Sequence, residues 1–118
     1  SVAINPQVTL AKYNQGLVNP YLKVCHNADS NTFDFVANSD RFDLLAHPKT
    51  TDYRIVLVQN LMDKSHYSKH YSPYCRMLGM TPDKPGRKGR ARTILFSHDR
   101  GHLQAETSDV FTQIMRAV

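Results

Sequence analysis

The sequence predicts an α+β fold: a small, mostly antiparallel sheet of three to four strands, with two to three helices packed on one face. Three observations lead to this prediction. The length of 118 residues suits a single domain spanning residues 1–118. A hydrophobic fraction of 41% is enough for one core. Short β-branched stretches and amphipathic helical stretches both occur along the chain, so neither an all-α nor an all-β fold is indicated.

The first part of the chain predicts a β-hairpin. Residues 1–19 fit either a short helix or a loose strand. Residues 21–25 resemble a strand, residues 26–31 form a polar turn cluster, and residues 32–36 alternate with period two. Residues 40–46 follow as one or two helical turns, which Pro48 ends.

The next part predicts a central strand and a short helix. Residues 52–58 are continuous and β-branched, which is typical of a buried strand. Ser72 and Pro73 fit an N-cap and the first helical position, and Gly79 fits the stop, so we expect a helix over 73–78. A turn of helix or a loop is expected at 64–71.

The last part predicts a strand over 92–97 and a C-terminal helix that begins at Thr107 or Ser108. The helix carries apolar residues at helical spacing, and these should pack on the sheet: Val110, Phe111, Ile114, Met115 and Val118. The two cysteines, Cys25 and Cys75, are 50 positions apart and are expected to be free or buried thiols.

Positive charge is concentrated in one third of the chain. Residues 64–100 carry nine Lys/Arg and two Asp, a net charge of +7, whereas residues 1–63 and 101–118 each carry −1. An asymmetry of this size favours an anionic partner.

Within that third, the Gly/Pro-rich segment 81–92 is the first candidate binding element, and we expect residues 82–89 to form no regular element. Its glycines allow close approach of a phosphate, and arginine side chains can bind phosphate oxygens with two hydrogen bonds. The expected nucleic-acid contacts here are Lys84, Arg87, Lys88, Arg90 and Arg92. Alternatives are a solvated loop or a contact with another acidic surface.

Aromatic and basic residues on either side add candidates. Tyr67 and Tyr71 could stack on bases while neighbouring cations hold the backbone. The supporting cations are Lys64, Lys69, Arg76 and Arg100. The alternative is that the tyrosines belong to an ordinary helix face that packs on the core.

Two histidine pairs have i, i+4 spacing, His66 with His70 and His98 with His102. On a helix this spacing suits a zinc pair, but the sequence contains no complete ligand motif such as CxxC or HExxH. We therefore predict no metal and no other cofactor, and expect surface or phosphate-facing histidines. The alternative is a structural zinc site built from these four histidines or with Cys75.

The string DRGH, from Asp99 to His102, resembles the signature of the ββα-metal non-specific nucleases, the family of endonuclease G and Serratia nuclease. The resemblance covers four residues. It implies that His102 is a general base that activates water, while a bound metal stabilises the leaving oxygen. The family's metal-holding Asn has no counterpart, since the residues after His102 offer only Asp109 and Gln113.

A metal-free ribonuclease is a second enzyme hypothesis, because histidines and cations alone can cleave RNA through its own 2′-hydroxyl. The catalytic candidates are His102, His98 and Arg100. For this hypothesis, His102 should share a concave surface with His66, His70 or Arg92.

A third hypothesis is a structural or interaction protein, for example a viral one, that docks on an acidic partner. Our prediction is a nucleic-acid-binding protein rather than an enzyme, with DNA and RNA both open and a homodimer compatible with the sequence. The chain has no membrane-spanning run and no signal pattern, so we expect no membrane partner and a cytoplasmic, nuclear or virion-internal setting.

Overall fold

The computed structural model describes residues 2–46, 54–100, 102 and 107–118. These residues form two compact units. The first contains residues 2–6 together with the described residues from 54 onward, and the second contains residues 7–46. Each unit is described by itself, and the expectation of a single domain stays a prediction.

The first unit is built on a four-stranded mixed sheet, so the chain has an α+β fold. Its strands are β1 (Val2–Ile4), β2 (Ile55–Asn60), β3 (Gly86–Lys88) and β4 (Ala91–Phe96), in the order β1-β2-β4-β3. β1, β2 and β4 are parallel, and only β3 is antiparallel to its neighbour. The expected mostly antiparallel sheet is therefore wrong. The physical reason is the helical connection between β2 and β4, which returns the chain to the edge where β2 began.

The helical connection contains α3 (Lys64–His66), a π turn (Tyr67–Tyr71) and α4 (Ser72–Met77). The Asp63 carboxylate accepts a hydrogen bond from the backbone N–H of His66 and so caps α3. Gly79 has a φ of 71°, which fits its predicted role as the helix stop.

Helices cover both faces of this sheet. The helix α5 (Ser108–Ala117) buries Val110 and Ile114 against Val56, Val58 and Ile94.

The connecting helices lie on the opposite face. Leu57 pairs with Thr93, and the side chain of Thr93 lies beside the hydroxyl of Tyr71. Side chains alternate between the faces of a strand, so Thr93 and Ile94 point to opposite sides. The expectation that all helices pack on one face is thus also wrong.

The apolar face of α5 is only partly buried. Val110 and Ile114 are in the core, but Phe111 is 58% exposed, Met115 60% and Val118 53%. The predicted packing of these three residues is wrong. The stripe is wider than the area that one helix can bury on a strand pair, and the side of α5 that carries Phe111 and Met115 is turned away from the contact.

The basic segment 81–92 contains a regular element. β3 and β4 form a hairpin in which Gly86 pairs with Thr93 and Lys88 with Ala91. Gly89 adopts a φ of 56° in the connecting turn. The prediction that residues 82–89 are irregular is wrong, because the pairing with β4 offsets the low strand propensity of a segment rich in Gly and Pro.

The second unit is helical where a hairpin was expected. Residues 21–25 belong to α1 (Gln15–His26), and residues 32–36 form turns before α2 (Ser39–Phe42). Asn14 caps the start of α1, and Asn27, with a φ of 49°, ends it. These caps explain why residues 21–25 are helical. Among the described residues, none of the helices combines the length and apolar character needed to cross a bilayer.

Candidate functional site

Two groups of polar side chains lie at the two ends of β4. The first, which we call the Asp–His cluster, consists of Asp63, His66 and His102. Asp63 comes three residues after the end of β2, and His102 six residues after the end of β4. Both strands are parallel, so their carboxyl ends meet at one edge of the sheet, where ligands of open parallel sheets commonly bind.

A buried asparagine holds the loops of this edge together. The side chain of Asn60 donates from Nδ2 to the His98 carbonyl at 2.9 Å and accepts at Oδ1 from the His98 N–H at 3.0 Å. The same Oδ1 accepts from the Met62 N–H at 3.1 Å. Asn60 thereby links the segment after β2, which leads to Asp63, with the segment after β4, which leads to His102.

One carboxylate oxygen organises the Asp–His cluster. Asp63 Oδ2 lies 2.8 Å from Nδ1 of His102 and 3.3 Å from Nδ1 of His66. The two imidazole rings are stacked, with centroids 4.1 Å apart and an interplanar angle of 16°. Three atoms that can each bind a metal ion thus lie within 4.8 Å of one another.

Burial differs sharply within the Asp–His cluster. The side chain of Asp63 is 6% exposed and that of His66 is 13% exposed, whereas that of His102 is 48% exposed. Burial lowers the pKa of His66 below its usual value, and the nearby Asp63 carboxylate acts in the opposite direction. A neutral imidazole of this kind can accept a proton or bind a metal ion.

The other predicted catalytic candidates lie outside the Asp–His cluster. His98 Nδ1 is 3.2 Å from the exposed carboxylate of Asp99 and accepts from the backbone N–H of Arg100. Arg100 itself is exposed. Of the DRGH string, Gly101 lies outside the described residues, and only His102 belongs to the cluster.

The helix residues that the DRGH resemblance offered as substitutes for the metal-holding Asn are not cluster members either. Asp109 and Gln113 are both exposed, and Gln113 Nε2 donates to Asp109 Oδ2 at 3.0 Å.

The structure brings the histidines together differently from the predicted i, i+4 pairs. His70 is buried, and its ring centroid is 5.1 Å from that of His66, so these two rings are neighbours as the spacing suggested. His66 additionally contacts Asp63, three residues earlier, and His102, which is remote from it in sequence. His102 and His66 are therefore neighbours, and the concave surface that the ribonuclease hypothesis expects stays a prediction.

The second group surrounds a cleft of about 360 Å³ at the other end of β4, which we call the arginine cleft. Arg87 pairs with Arg92, and Arg92 pairs with Val56, so both arginines belong to the face that α5 covers. Five arginines contribute to the lining: Arg54, Arg87, Arg90, Arg92 and Arg116. Among the described residues that line this cleft, none is acidic.

The hairpin divides the predicted basic loop between two surfaces. Arg90 and Arg92 contribute to the arginine cleft, Lys84 and Lys88 line a second cleft beside Gly79, and Arg87 contributes to both. Lys88 Nζ donates to the Gly79 carbonyl at 3.2 Å. Sequence reasoning grouped these residues by proximity along the chain, whereas the fold distributes them over two clefts that share Arg87.

The remaining predicted contacts are also separated from the arginine cleft. Lys64, Lys69 and Arg76 are exposed on the helical connection, which packs on the other face of the sheet. Tyr67 is half-buried there. Tyr71 is fully buried beside Cys75, so its predicted stacking on a base is wrong, and burial raises the pKa of its hydroxyl.

Three contributors were missed by sequence reasoning. Arg54 and Arg116 are isolated in sequence, and only the fold brings them to the arginine cleft. Asp63 did carry a signal, since it directly follows the strongest strand of the chain and precedes His66 by three residues. An acid at that place can cap a helix and face a histidine of its first turn.

Comparison with known proteins adds nothing to this geometry: no family model matches the chain, and no curated protein or solved structure is detectably similar to it.

Proposed function

We propose that the protein binds the phosphate backbone of nucleic acids through the arginine cleft. The observation that carries this proposal is the convergence of five guanidinium-bearing side chains on one cleft that has no acidic residue in its described lining. Guanidinium groups remain charged at all physiological pH values and match the oxygen geometry of phosphate.

The concentration of these charges favours a polyanion over a small acidic ligand. Five guanidinium groups carry like charge around one cleft, and the extended phosphate backbone of a nucleic acid can contact several of them together. Each phosphate that is neutralised also releases counterions, so binding should weaken steeply with salt. Phosphate contacts carry no sequence information, and we therefore expect binding with little sequence preference.

A matched pair of variants tests the surface. Arg90→Gln with Arg116→Gln removes two charges of the arginine cleft that do not line the second cleft, and Lys84→Gln with Lys88→Gln removes two charges of the second cleft that do not line the arginine cleft. Binding to labelled single- and double-stranded DNA and RNA is measured by fluorescence anisotropy between 50 and 200 mM salt, an assay range in which such contacts change affinity strongly.

We expect the arginine pair to weaken binding more than about tenfold at low salt and to reduce the salt slope by roughly 2 on duplex DNA. The lysine pair should weaken binding far less. Equal losses in the two pairs would show that only net charge matters, and unchanged affinity in the arginine pair would refute the assignment of the cleft.

A second candidate function is phosphodiester cleavage at the Asp–His cluster. The observation that favours it is the 2.8 Å contact between Asp63 Oδ2 and His102 Nδ1, because a carboxylate on one imidazole nitrogen orients the ring and makes the other nitrogen a better base. His102, which is half exposed, would take a proton from an attacking water or from the RNA 2′-hydroxyl.

Cleavage is tested on the same oligonucleotides with His102→Ala and with His98→Ala as the control, in magnesium, in zinc and in EDTA. Loss of cleavage in His102→Ala alone supports an enzyme. Intact strands with the wild-type protein in all three conditions would refute this second function and leave the binding proposal in place.

A further inference from the structure

We propose that Asp63, His66 and His102 bind a single divalent transition-metal ion, with zinc as the best match. This site is independent of the arginine cleft and would hold whether or not the protein binds nucleic acid. The argument depends on the distances between donor atoms, on the chemistry of those donors and on the way the fold fixes the carboxylate.

The donor atoms are already spaced almost as a zinc ion requires. Zinc binds imidazole nitrogen and carboxylate oxygen at about 2.0–2.2 Å, so neighbouring ligands of a tetrahedral site are about 3.4 Å apart. Asp63 Oδ2 and His66 Nδ1 are 3.3 Å apart. Asp63 Oδ2 and His102 Nδ1 are 2.8 Å apart, which is a hydrogen-bond length. Replacing the bridging proton with an ion therefore requires the distance between Asp63 Oδ2 and His102 Nδ1 to lengthen by about 0.6 Å.

Zinc binding requires one of the two imidazole rings to move, and His102 is the more exposed of the two. The lone pair of an imidazole nitrogen lies in the ring plane, and the two rings are nearly parallel and 4.1 Å apart. One ion cannot lie in both planes, so binding must tilt the rings apart. His102 is 48% exposed and can turn, whereas His66 is 13% exposed and is held by its helix.

The fold presents the carboxylate in a fixed orientation. Asp63 Oδ1 accepts from the His66 backbone N–H at 3.3 Å, which leaves Oδ2 to face the two rings. The backbone N–H of Asp63 donates to the Asn60 carbonyl at 3.0 Å. Asn60 also holds the loop that leads to His102. Supports of this kind around a metal ligand raise affinity because they reduce the ordering needed on binding.

The donor set selects the kind of ion and leaves room for chemistry. Two imidazoles and one carboxylate suit zinc and related transition metals, whereas magnesium prefers oxygen ligands in an octahedral arrangement. Three protein ligands leave at least one position open to water, which is the pattern of catalytic rather than structural zinc sites. The exposed side of His102 is where that position would meet solvent.

The experiment uses the full chain, stripped with EDTA and dialysed. Zinc is titrated by isothermal calorimetry, and cobalt binding is followed by its visible absorption, with magnesium as the comparison ion. The test variants are Asp63→Asn, which keeps an oxygen to cap α3, and His102→Ala, which alters a half-exposed side chain. Their matched controls are Asp99→Asn and His98→Ala, an acid and a histidine of the same region that lie outside the Asp–His cluster. Circular dichroism confirms that each variant is folded.

We expect one zinc ion per chain, a cobalt spectrum of four- or five-coordinate type, and a melting temperature that rises with zinc. Asp63→Asn and His102→Ala should weaken zinc binding more than about 100-fold, by analogy with the 10–100-fold losses caused by outer ligand supports alone. The controls should stay within about twofold.

Three results would overturn the proposal. Absence of zinc and cobalt binding by the folded wild-type chain would leave the cluster as a hydrogen-bonded Asp–His pair. Equal weakening in His98→Ala and His102→Ala would place the metal elsewhere. Magnesium binding as tight as zinc binding would contradict the imidazole donors.

Discussion

Substitution of the buried Asn60 by Ala tests the element that joins the two halves of the Asp–His cluster. The change removes three side-chain hydrogen bonds, two with the backbone of His98 and one with that of Met62. Each such bond contributes about 1 kcal/mol net, and a buried group left without its partner adds to the loss. We therefore expect the free energy of unfolding of the sheet unit to fall by about 3 kcal/mol and its melting temperature by roughly 12–24 °C.

The assay is urea denaturation followed by circular dichroism, together with hydrogen exchange at the His98 and Met62 amides. Gln113→Ala is the control, since it removes one exposed side-chain bond on α5 and should cost no more than about 0.5 kcal/mol. If Asn60→Ala unfolds within about 0.5 kcal/mol of the wild type, the asparagine does not hold this edge of the sheet. The same variant should also weaken zinc binding, because it frees the loop that carries His102.

Two further predictions concern reactivity and packing. The Cys75 thiol is buried and burial raises its pKa, whereas Cys25 is exposed. Since the thiolate is the reactive form, a thiol reagent should modify Cys25 rapidly in the native protein and Cys75 only on unfolding. If the native Cys25→Ser variant, in which only Cys75 remains, reacted as fast as the native Cys75→Ser variant, this prediction would be wrong. Ile114 is 7% exposed and Phe111 58% exposed. Ile114→Asp should therefore unfold the sheet unit by burying an unpaired charge, whereas Phe111→Asp should leave its melting temperature nearly unchanged. Similar melting curves for the two variants would show that the assigned burial of these two side chains is wrong.

Elements that depend on caps and on the local periodicity of apolar residues could be predicted from the sequence. The strand at Ile55–Asn60, the end of α4 before Gly79 and the start of α5 at Ser108 were recognisable from caps and periodicity. The predicted helix start at Ser72 and Pro73 is wrong, because Ser72 is itself helical and continues the preceding π turn. The direction of the strands was not recognisable, because parallel and antiparallel pairs differ in their connections rather than in their residues.

The error at residues 21–25 has a related cause. A short run such as residues 21–25, with the single β-branched residue Val24, fits a strand and a helix equally well, and the choice depends on flanking caps. Asn14 and Asn27, which lie outside the run, cap the two ends of α1 and favour the helix. Pro20 lies inside that helix, where its ring would normally argue against one.

The candidate sites show the same limit. The basic segment and the importance of His102 were visible in sequence, but the partner of His102 is Asp63, 39 positions earlier. The i, i+4 spacing of the histidines predicted His70 as a neighbour of His66. The more informative neighbour, His102, follows a different strand. Sequence proximity also grouped Arg90 with Lys88, which the fold places in different clefts.

The two proposed sites should behave as independent sites, because β4 keeps them apart. Arg92 and Phe96 are four residues apart on β4, which corresponds to about 13 Å. This exceeds the screening length of about 8 Å at physiological ionic strength, so exposed charges at one site are largely screened from the other. Arginine-cleft variants should therefore change nucleic-acid affinity without changing zinc affinity, and cluster variants should do the reverse. A double variant whose effects depart from additivity by more than about 0.5 kcal/mol would mean that the two ends of the sheet share a ligand or a conformational change.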